Sequence, residues 1–318
     1  MKTVFADILN KYFNLSVINI TEQEGGWSAR AFKIDTTNGI FFLKAYEKHK
    51  ASTAQWTAMI DTYMPIVIWL YNNTDLRGKI ICPVLTTDGK YMCEDDNFIY
   101  LLFPYIEGYT LCDKTMTDTQ IKEMADIIAE LHKYGDEIPV ATNTIKEDFT
   151  VPFCHELKEL ISLTNETSSN ETMRILKEYE TVLIKNIEKT ISLAERLSKE
   201  NLSHVICHTD VHGWNLMQSD RLILIDWEGM KLAPPEADLF AFIGDHFWHT
   251  CSAEFLETYK KVHPYFEINS DSLEFYQIRR RIEDICAFAQ GLLSENINDE
   301  EIKQSLYHLR RECSALSC

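Results

Sequence analysis

His208-Thr209-Asp210-Val211-His212-Gly213-Trp214-Asn215-Leu216, followed by Leu222-Ile223-Leu224-Ile225-Asp226-Trp227-Glu228, carries the densest chemistry in this chain of 318 residues. The apolar run Val205-Ile206-Cys207 reads as a short buried strand that releases the chain into a polar loop at His208. Asp210 stands at the loop's start, where a carboxylate can orient a hydroxyl or accept its proton. Asn215 supplies a neutral amide oxygen, and Leu222-Ile223-Leu224-Ile225 reads as a second strand that delivers Asp226. Two oxygen donors at the mouth of one hairpin suit Mg²⁺, a hard cation. Transfer of a γ-phosphoryl group asks for little more than a positioned nucleophile and neutralised charge. A lone His-x-Asp often only caps a turn. The whole pattern, with an aspartate closing an apolar run downstream, is far harder to meet by chance.

Toward the N-terminus, Val4, Phe5, Ile8, Leu9, Tyr12 and Phe13 recur at helical spacing and predict an amphipathic helix over residues 3–13. A strand from Leu15 to Ile20 leads to Glu24-Gly25-Gly26-Trp27-Ser28, a turn of small residues opening a hairpin. Such a loop can lay backbone N–H groups over phosphates, although an ordinary hairpin explains Gly25 and Gly26 as well. Lys44 interrupts the nearly apolar strand Gly39–Tyr46, where an unpaired ammonium is costly, so it needs an anionic partner. The alternative is an edge-strand lysine that serves solubility. Ile80–Val84 and Phe98–Phe103, with Asp88-Gly89 turning between them, complete a five-stranded antiparallel sheet. Pro104-Tyr105-Ile106-Glu107-Gly108 then reads as a connector.

Beyond residue 117 the pattern turns helical. Thr117 is placed to cap a helix carrying Ile121, Met124, Ile127, Ile128 and Leu131, and His132 reads as a packing residue at its end. Residues 164–172 form a polar low-complexity loop, and Met173–Leu197 reads as one long amphipathic helix. Asp238 falls in the first turn of another helix. His246 and His249 have no third ligand nearby and make no metal site by spacing. Near the C-terminus, Arg279-Arg280-Arg281 followed by Glu283-Asp284 fits a solvated helical face with paired charges.

A net charge of −18 argues against nucleic-acid binding and leaves room for attraction of a cationic substrate. No uninterrupted apolar run approaches the ~18 residues needed to cross a membrane, and the N-terminus lacks the apolar core of a signal peptide. The nine cysteines never form Cys-x-x-Cys. Together these features predict a cytoplasmic protein of reduced thiols with no evident obligatory protein partner.

The 208–228 block resembles the catalytic and metal-binding loops of the aminoglycoside phosphotransferase family, relatives of the protein kinases, and the likeness extends from Gly25 to about Ser294. The resemblance implies an α+β, bilobal protein-kinase-like fold, with a nucleotide-binding sheet lobe over 1–104 and a mainly helical catalytic and acceptor-binding lobe over 105–318. It implies Asp210 as the catalytic aspartate, Asn215 and Asp226 as Mg²⁺ ligands, and His208 as loop support. Lys44 matches the lysine on the nucleotide's phosphates, with Gly25, Gly26 and Ser28 in the covering loop, while Phe103, Tyr105 and Ile106 flank the base. The acid that steadies this lysine belongs on the following helix. Residues 54–64 hold no glutamate, so Asp61 is the choice by position and Glu47 the second. Asp226-Trp227-Glu228 stands where protein kinases carry Asp-Phe-Gly, and no Ala-Pro-Glu follows, which favours a small-molecule acceptor.

The run Phe275–Ser294 is similar to the acceptor-side helix of the spectinomycin-modifying branch of that family, which implies Glu283 and Asp284 as acceptor carboxylates, with Trp227 and Trp248 as stacking surfaces. The implied activity is ATP- or GTP-dependent O-phosphorylation of an aminoglycoside or aminocyclitol. A metabolic kinase for choline, homoserine or a sugar, and a nucleotide-binding regulator without transfer activity, are the competing readings.

Overall fold

The structure is a computed structural model that describes residues 2–23, 29–50, 53–164, 170–243, 252–294 and 298–317. Gly25, Gly26, Ser28 and Trp248 lie outside the described residues. The chain divides into two compact units. The first joins residues 1–146, 204–233 and 253–264, and the second joins 147–203, 234–252 and 265–318.

In the first unit, α1 (Lys2–Phe13) forms where the helical spacing predicts it and buries Phe5, Leu9 and Phe13. Asn14, at a φ of 53°, ends it in the left-handed conformation that asparagine tolerates better than most residues. Strands β1 (Val17–Gln23), β2 (Arg30–Thr36) and β3 (Gly39–Glu47) follow, then the helices α2 (Thr53–Thr57) and α3 (Ile60–Asn73), then β4 (Cys93–Glu94) and β5 (Phe98–Pro104). The strands make one antiparallel sheet in the order β1-β2-β3-β5-β4. Its inner face meets α1 through Phe5, whose ring sits edge-on to Phe32, Phe98 and Tyr100 at centroid distances of 4.9, 5.6 and 5.5 Å.

The sheet has five strands, but the fifth is Cys93–Glu94 rather than the expected Ile80–Val84. Pro83 has no N–H to give a ladder. Ile80 instead bridges Leu224, the Lys79 carbonyl accepts from the Leu224 N–H at 2.9 Å, and the Val84 N–H reaches the Leu102 carbonyl at 2.7 Å. Residues 79–84 thereby strap the sheet to the segment that carries the site. The Asp88-Gly89 turn forms as expected, with Gly89 at a φ of 80°.

The rest of this unit positions the 208–228 segment. After the short β6 (Tyr109–Thr110), α4 (Asp118–Leu131) starts at Thr117, whose hydroxyl accepts from the Gln120 N–H while the Gln120 side chain accepts from the Thr117 N–H.

The second unit is helical: α5 (Pro152–Ser162), α6 (Glu171–Glu178) and α7 (Glu180–Leu197) lie in the segment before the 208–228 stretch. The expected single helix over 173–197 is thus broken at Tyr179, which sits at φ −100°, ψ 7°. The Leu183 N–H still donates to the Tyr179 carbonyl, so the apolar stripe runs on through a bend. In the first unit, β7 (Val205–Cys207), β8 (Leu216–Gln218), β9 (Leu222–Leu224) and β10 (Lys231–Ala233) follow, as two small sheets: β10 pairs with β7, and β6-β8-β9 run side by side. After α8 (Glu236–Leu239) come α9 (Ser252–Val262), α10 (Ser270–Ser294) and α11 (Asp299–Ala315). No helix among the described residues is long and apolar enough to cross a membrane.

Arg279, Arg280 and Arg281 do not form the expected solvated face. Successive helical residues point about 100° apart, so three in a row cannot share one side. Arg279 pairs with buried Glu147 at 2.7 Å, Arg280 with Asp284 at 3.0 Å, and Arg281 with buried Glu312 on α11 at 2.6 Å. Burial pushes the Asp284 carboxyl up to about 6, and Glu312 and Glu283 add to the effect while Arg280 opposes it.

Two stability measurements follow from these packings. Phe5→Ala should cost about 3–5 kcal/mol in urea unfolding, because it empties a site closed on three sides by rings. Asp284 holds its proton more tightly folded than unfolded. Its stabilising contribution is therefore present at pH 4 and lost as pH rises through about 6. Melting curves of Asp284→Asn against the parent chain should shift in favour of the variant between pH 4 and 7. An unchanged difference would refute the assignment.

Candidate active site

The geometry starts where β7 ends. His208 is fully buried, and its Nε2 lies 2.9 Å from the Ile225 carbonyl while its Nδ1 accepts from the Asp210 N–H at 3.3 Å. The two contacts require a neutral ring with the proton on Nε2. One side chain thus ties the start of the loop to the end of β9. Thr209, at a φ of 68°, donates its hydroxyl to the Gly229 carbonyl at 2.7 Å.

Asp210 is half-buried and sits inside a cage of its own loop. The Asn215 amide nitrogen donates to the Asp210 carbonyl at 2.9 Å and to its carboxylate at 3.0 Å, and His212 Nε2 lies 3.2 Å from the other carboxylate oxygen. Asn215 gives its nitrogen to Asp210, which turns its amide oxygen the opposite way. Gly213 allows the loop to pack this tightly, since a Cβ there would stand 1.9 Å from the Cys112 carbonyl oxygen.

Asp226 occupies the left-handed region at φ 74°, ψ 72°, unusual for a residue with a side chain. That turn, followed by the 3₁₀ segment Trp227–Gly229, brings two carboxylates to one cation. The Lys44 ammonium on β3 donates to Asp226, and to Glu228 at 2.8 Å. The Tyr46 hydroxyl, one turn of the strand pleat along, donates to the same Glu228 oxygen.

The charges are strongly coupled. Burial would lower the Lys44 ammonium, but Asp226 and Glu228 outweigh it and hold it well above its ordinary range. Burial would raise Asp226, but the Lys44 charge together with hydrogen bonds from Glu228 and Lys44 outweighs it and keeps its carboxyl below the usual value. Glu228 goes the other way, driven up by burial to about 7 with Lys44 opposing and Asp226 reinforcing. Tyr46 and Tyr63 are raised chiefly by burial, so both hydroxyls keep their protons.

Asp210, Asn215, Asp226, Lys44 and His208 are thus gathered by one continuous set of contacts. Phe103 is buried at the end of β5 opposite Phe42, and the Tyr105 N–H just beyond donates to the Ile40 carbonyl at 3.1 Å, with Ile106 half-buried beside it.

Two expectations need correction. Asp61 is exposed in the first turn of α3 and does not pair with Lys44, whose carboxylates come from Asp226 and Glu228. Glu47 pairs with Lys50 instead, at 3.2 Å. Trp227 is only 3 % exposed and packs edge-on to His208 at 4.7 Å, so it offers no face to an acceptor. The exposed tryptophan of the segment is Trp214, at 54 %. Glu283 is half exposed, 3.9 Å from Arg279, and Asp284 is tied to Arg280; both belong to the second unit. The partners of Lys44 and Asp210 that the sequence alone does not single out are Glu228 and His212. The Asp-x-Glu spacing at the end of an apolar run was the available signal for the first.

The donor set fits a hard divalent cation. Asp226 offers a carboxylate kept ionised and Asn215 an amide oxygen, all oxygen ligands of the kind Mg²⁺ prefers.

Comparison with known proteins agrees with the kinase-like α+β class. Spectinomycin phosphotransferase APH(9)-Ia, solved with ADP and spectinomycin, superposes with a TM-score of 0.78 at 17% identity, over 99% of this chain and 97% of that one. A microcompartment-associated aminopropanol kinase gives 0.68 at 12% identity over 100% and 97%. The amicoumacin kinase hAmiN, solved with AMP-PNP, Ca²⁺ and Ami, gives 0.64 at 13% identity over 98% and 92%. In sequence, the protein StrN of Streptomyces griseus is 21% identical over 238 residues, 71% of this chain and 68% of that protein. The model of the phosphotransferase enzyme family matches residues 19–265, and the chain belongs to that family.

Proposed function

We propose that this enzyme transfers the γ-phosphoryl group of ATP or GTP to a hydroxyl of a small cationic acceptor of the aminoglycoside or aminocyclitol type. The observation that carries the reading is the joining of Lys44, from the sheet, to Asp226 at the mouth of the hairpin whose other end holds Asp210 and Asn215. Residues 1–104 serve as the nucleotide lobe and 105–318 as the catalytic and acceptor lobe.

Each side chain has a physical task. Lys44 neutralises phosphate charge, which a buried and permanently protonated ammonium does without reorganisation. Asn215 and Asp226 would hold Mg²⁺, which would supply neutralisation of the nucleotide's phosphate charge. Asp210 accepts the hydrogen bond of the acceptor hydroxyl and aims its oxygen at the phosphorus. Asn215 keeps that carboxylate in one rotamer through its amide nitrogen. His208 holds the spacing between the two ends of the hairpin. Phe103, Tyr105 and Ile106 bracket the base.

A surplus of 18 carboxylates over basic side chains draws cations toward the protein, and Glu283 and Asp284 are the carboxylates assigned to the acceptor's amines. The neighbour with spectinomycin bound supports an aminocyclitol. The aminopropanol kinase keeps a second reading open, a metabolic kinase for a small amino alcohol. A cytosolic setting, where nucleotide and Mg²⁺ are abundant and the seven described cysteines stay free thiols, suits either.

An acceptor panel read by mass spectrometry, with ATP and GTP in turn, separates these readings. Gain of one phosphoryl group on spectinomycin or an aminoglycoside is the expected result; gain on choline or an amino alcohol alone would move the assignment to metabolism. Asp210→Ala should lower turnover by about 10³-fold or more while leaving nucleotide affinity within about twofold. Near-normal turnover in that variant would remove Asp210 from the chemistry.

A further inference from the structure

We infer that Glu228, held by the Tyr46 hydroxyl, is the positioning residue for Lys44 and does the work for which the helix after β3 supplies no acid; this rests on the phosphotransferase reading above. Among the described residues, α2 contains no acidic side chain and the only acid of α3, Asp61, is exposed. What α3 contributes near Lys44 is Tyr63, a buried phenol close enough to feel the charges of Glu228, Lys44 and Asp226. A phenol that keeps its proton cannot neutralise an ammonium. The carboxylate has to come from elsewhere.

It comes from the turn after β9. Glu228 is nearly buried, with its side chain 11 % exposed, and its Oε1 accepts from both Lys44 and Tyr46. Lys44 and Tyr46 lie two residues apart on one strand, so their side chains leave the same face of the sheet. That face therefore offers two donors at fixed spacing to one oxygen. The origin of Glu228 is fixed as well. A Cβ on Gly229 would stand 2.6 Å from the Thr209 hydroxyl and 3.2 Å from the His208 carbonyl oxygen, so the 3₁₀ turn is pressed against the loop that carries Asp210.

Asp226 cannot fill the same role alone. It is assigned as a metal ligand, and its carboxylate is then shared between two cations. Glu228 is the carboxylate that can stay with Lys44 and hold the ammonium pointing at phosphate. A different task for Glu228, as a further oxygen ligand for the metal, predicts different behaviour and can be told apart.

Binding of ATP is measured by calorimetry in EDTA, and again with Mg²⁺, for the parent chain, Lys44→Met, Glu228→Gln, the double variant and Tyr46→Phe. Steady-state KM for ATP and kcat are taken in parallel. Circular dichroism and melting temperature monitor the fold. Glu228→Gln preserves side-chain length and leaves Lys44 paired with Asp226, and Tyr46→Phe offers a second probe that keeps all charges. We expect Glu228→Gln to weaken metal-free ATP binding about tenfold and to raise KM for ATP by a similar factor. The double variant should bind no more weakly than Lys44→Met alone, since both changes remove one function, and Tyr46→Phe should move affinity the same way by less. Unchanged metal-free affinity in Glu228→Gln, losses that multiply in the double variant, or a rise confined to the Mg²⁺ requirement would each overturn the proposal. A parent chain that binds no ATP under either condition would instead sink the phosphotransferase reading itself.

Discussion

A single ammonium under a sheet, answered by two carboxylates from a turn nearly two hundred residues later, is the constraint the first unit is built to satisfy. An amine buried without anions loses its charge or unfolds its surroundings. Lys44 keeps its charge only while Asp226 and Glu228 stay where they are. The register of β3 between β2 and β5, which sets Lys44 opposite Ala31 and Leu101, and the left-handed turn at Asp226 are therefore not independent features.

Around that pair the backbone is shaped by close approaches and unusual dihedrals. Thr209 and Asp226 are both in positive φ, and Gly213 and Gly229 stand where a Cβ would strike neighbouring atoms. Strained residues of this kind persist when surrounding contacts over-determine them. Here the contacts are visible. His208 spans from the Asp210 N–H to the Ile225 carbonyl, Thr209 reaches Gly229, and Asn215 clasps Asp210 from two sides. The result is a preorganised set of oxygens and one fixed cation, the arrangement that phosphoryl transfer rewards because reorganisation is the main cost it avoids.

The second unit solves a different electrostatic problem. Its long helix α10 spends three consecutive arginines on three separate carboxylates, of which Glu147 and Glu312 are buried. Glu147 also accepts from the Phe149 N–H at 3.0 Å, holding Phe149 in a left-handed conformation at a φ of 58°. Asp284 shares this crowded acidic setting, which is why its carboxyl is pushed up even beside Arg280. The same pair of residues, Glu283 and Asp284, is the one whose charges the acceptor assignment uses.

Local signals were enough for much of the fold. The spacing of apolar residues located α1 and α4, Thr117 with Gln120 marked a helix start, and the apolar runs on either side of His208–Leu216 located the strands that hold it. Asp210, Asn215 and Asp226 stand out in the sequence because their types and spacing match what a phosphoryl-transfer site would use, and Lys44 because a lone cation in an apolar strand needs a partner. Which partner it finds was decided in three dimensions. Asp61 is near in sequence but faces solvent on its helix, whereas Glu228 is distant in sequence and arrives by a turn that only a left-handed Asp226 and a bare Gly229 permit. The fate of Ile80–Val84 and of the three arginines was hidden for the same reason. Residue type and periodicity report what a segment can bury or bond, but the choice among competing partners belongs to packing, which no short window of sequence contains.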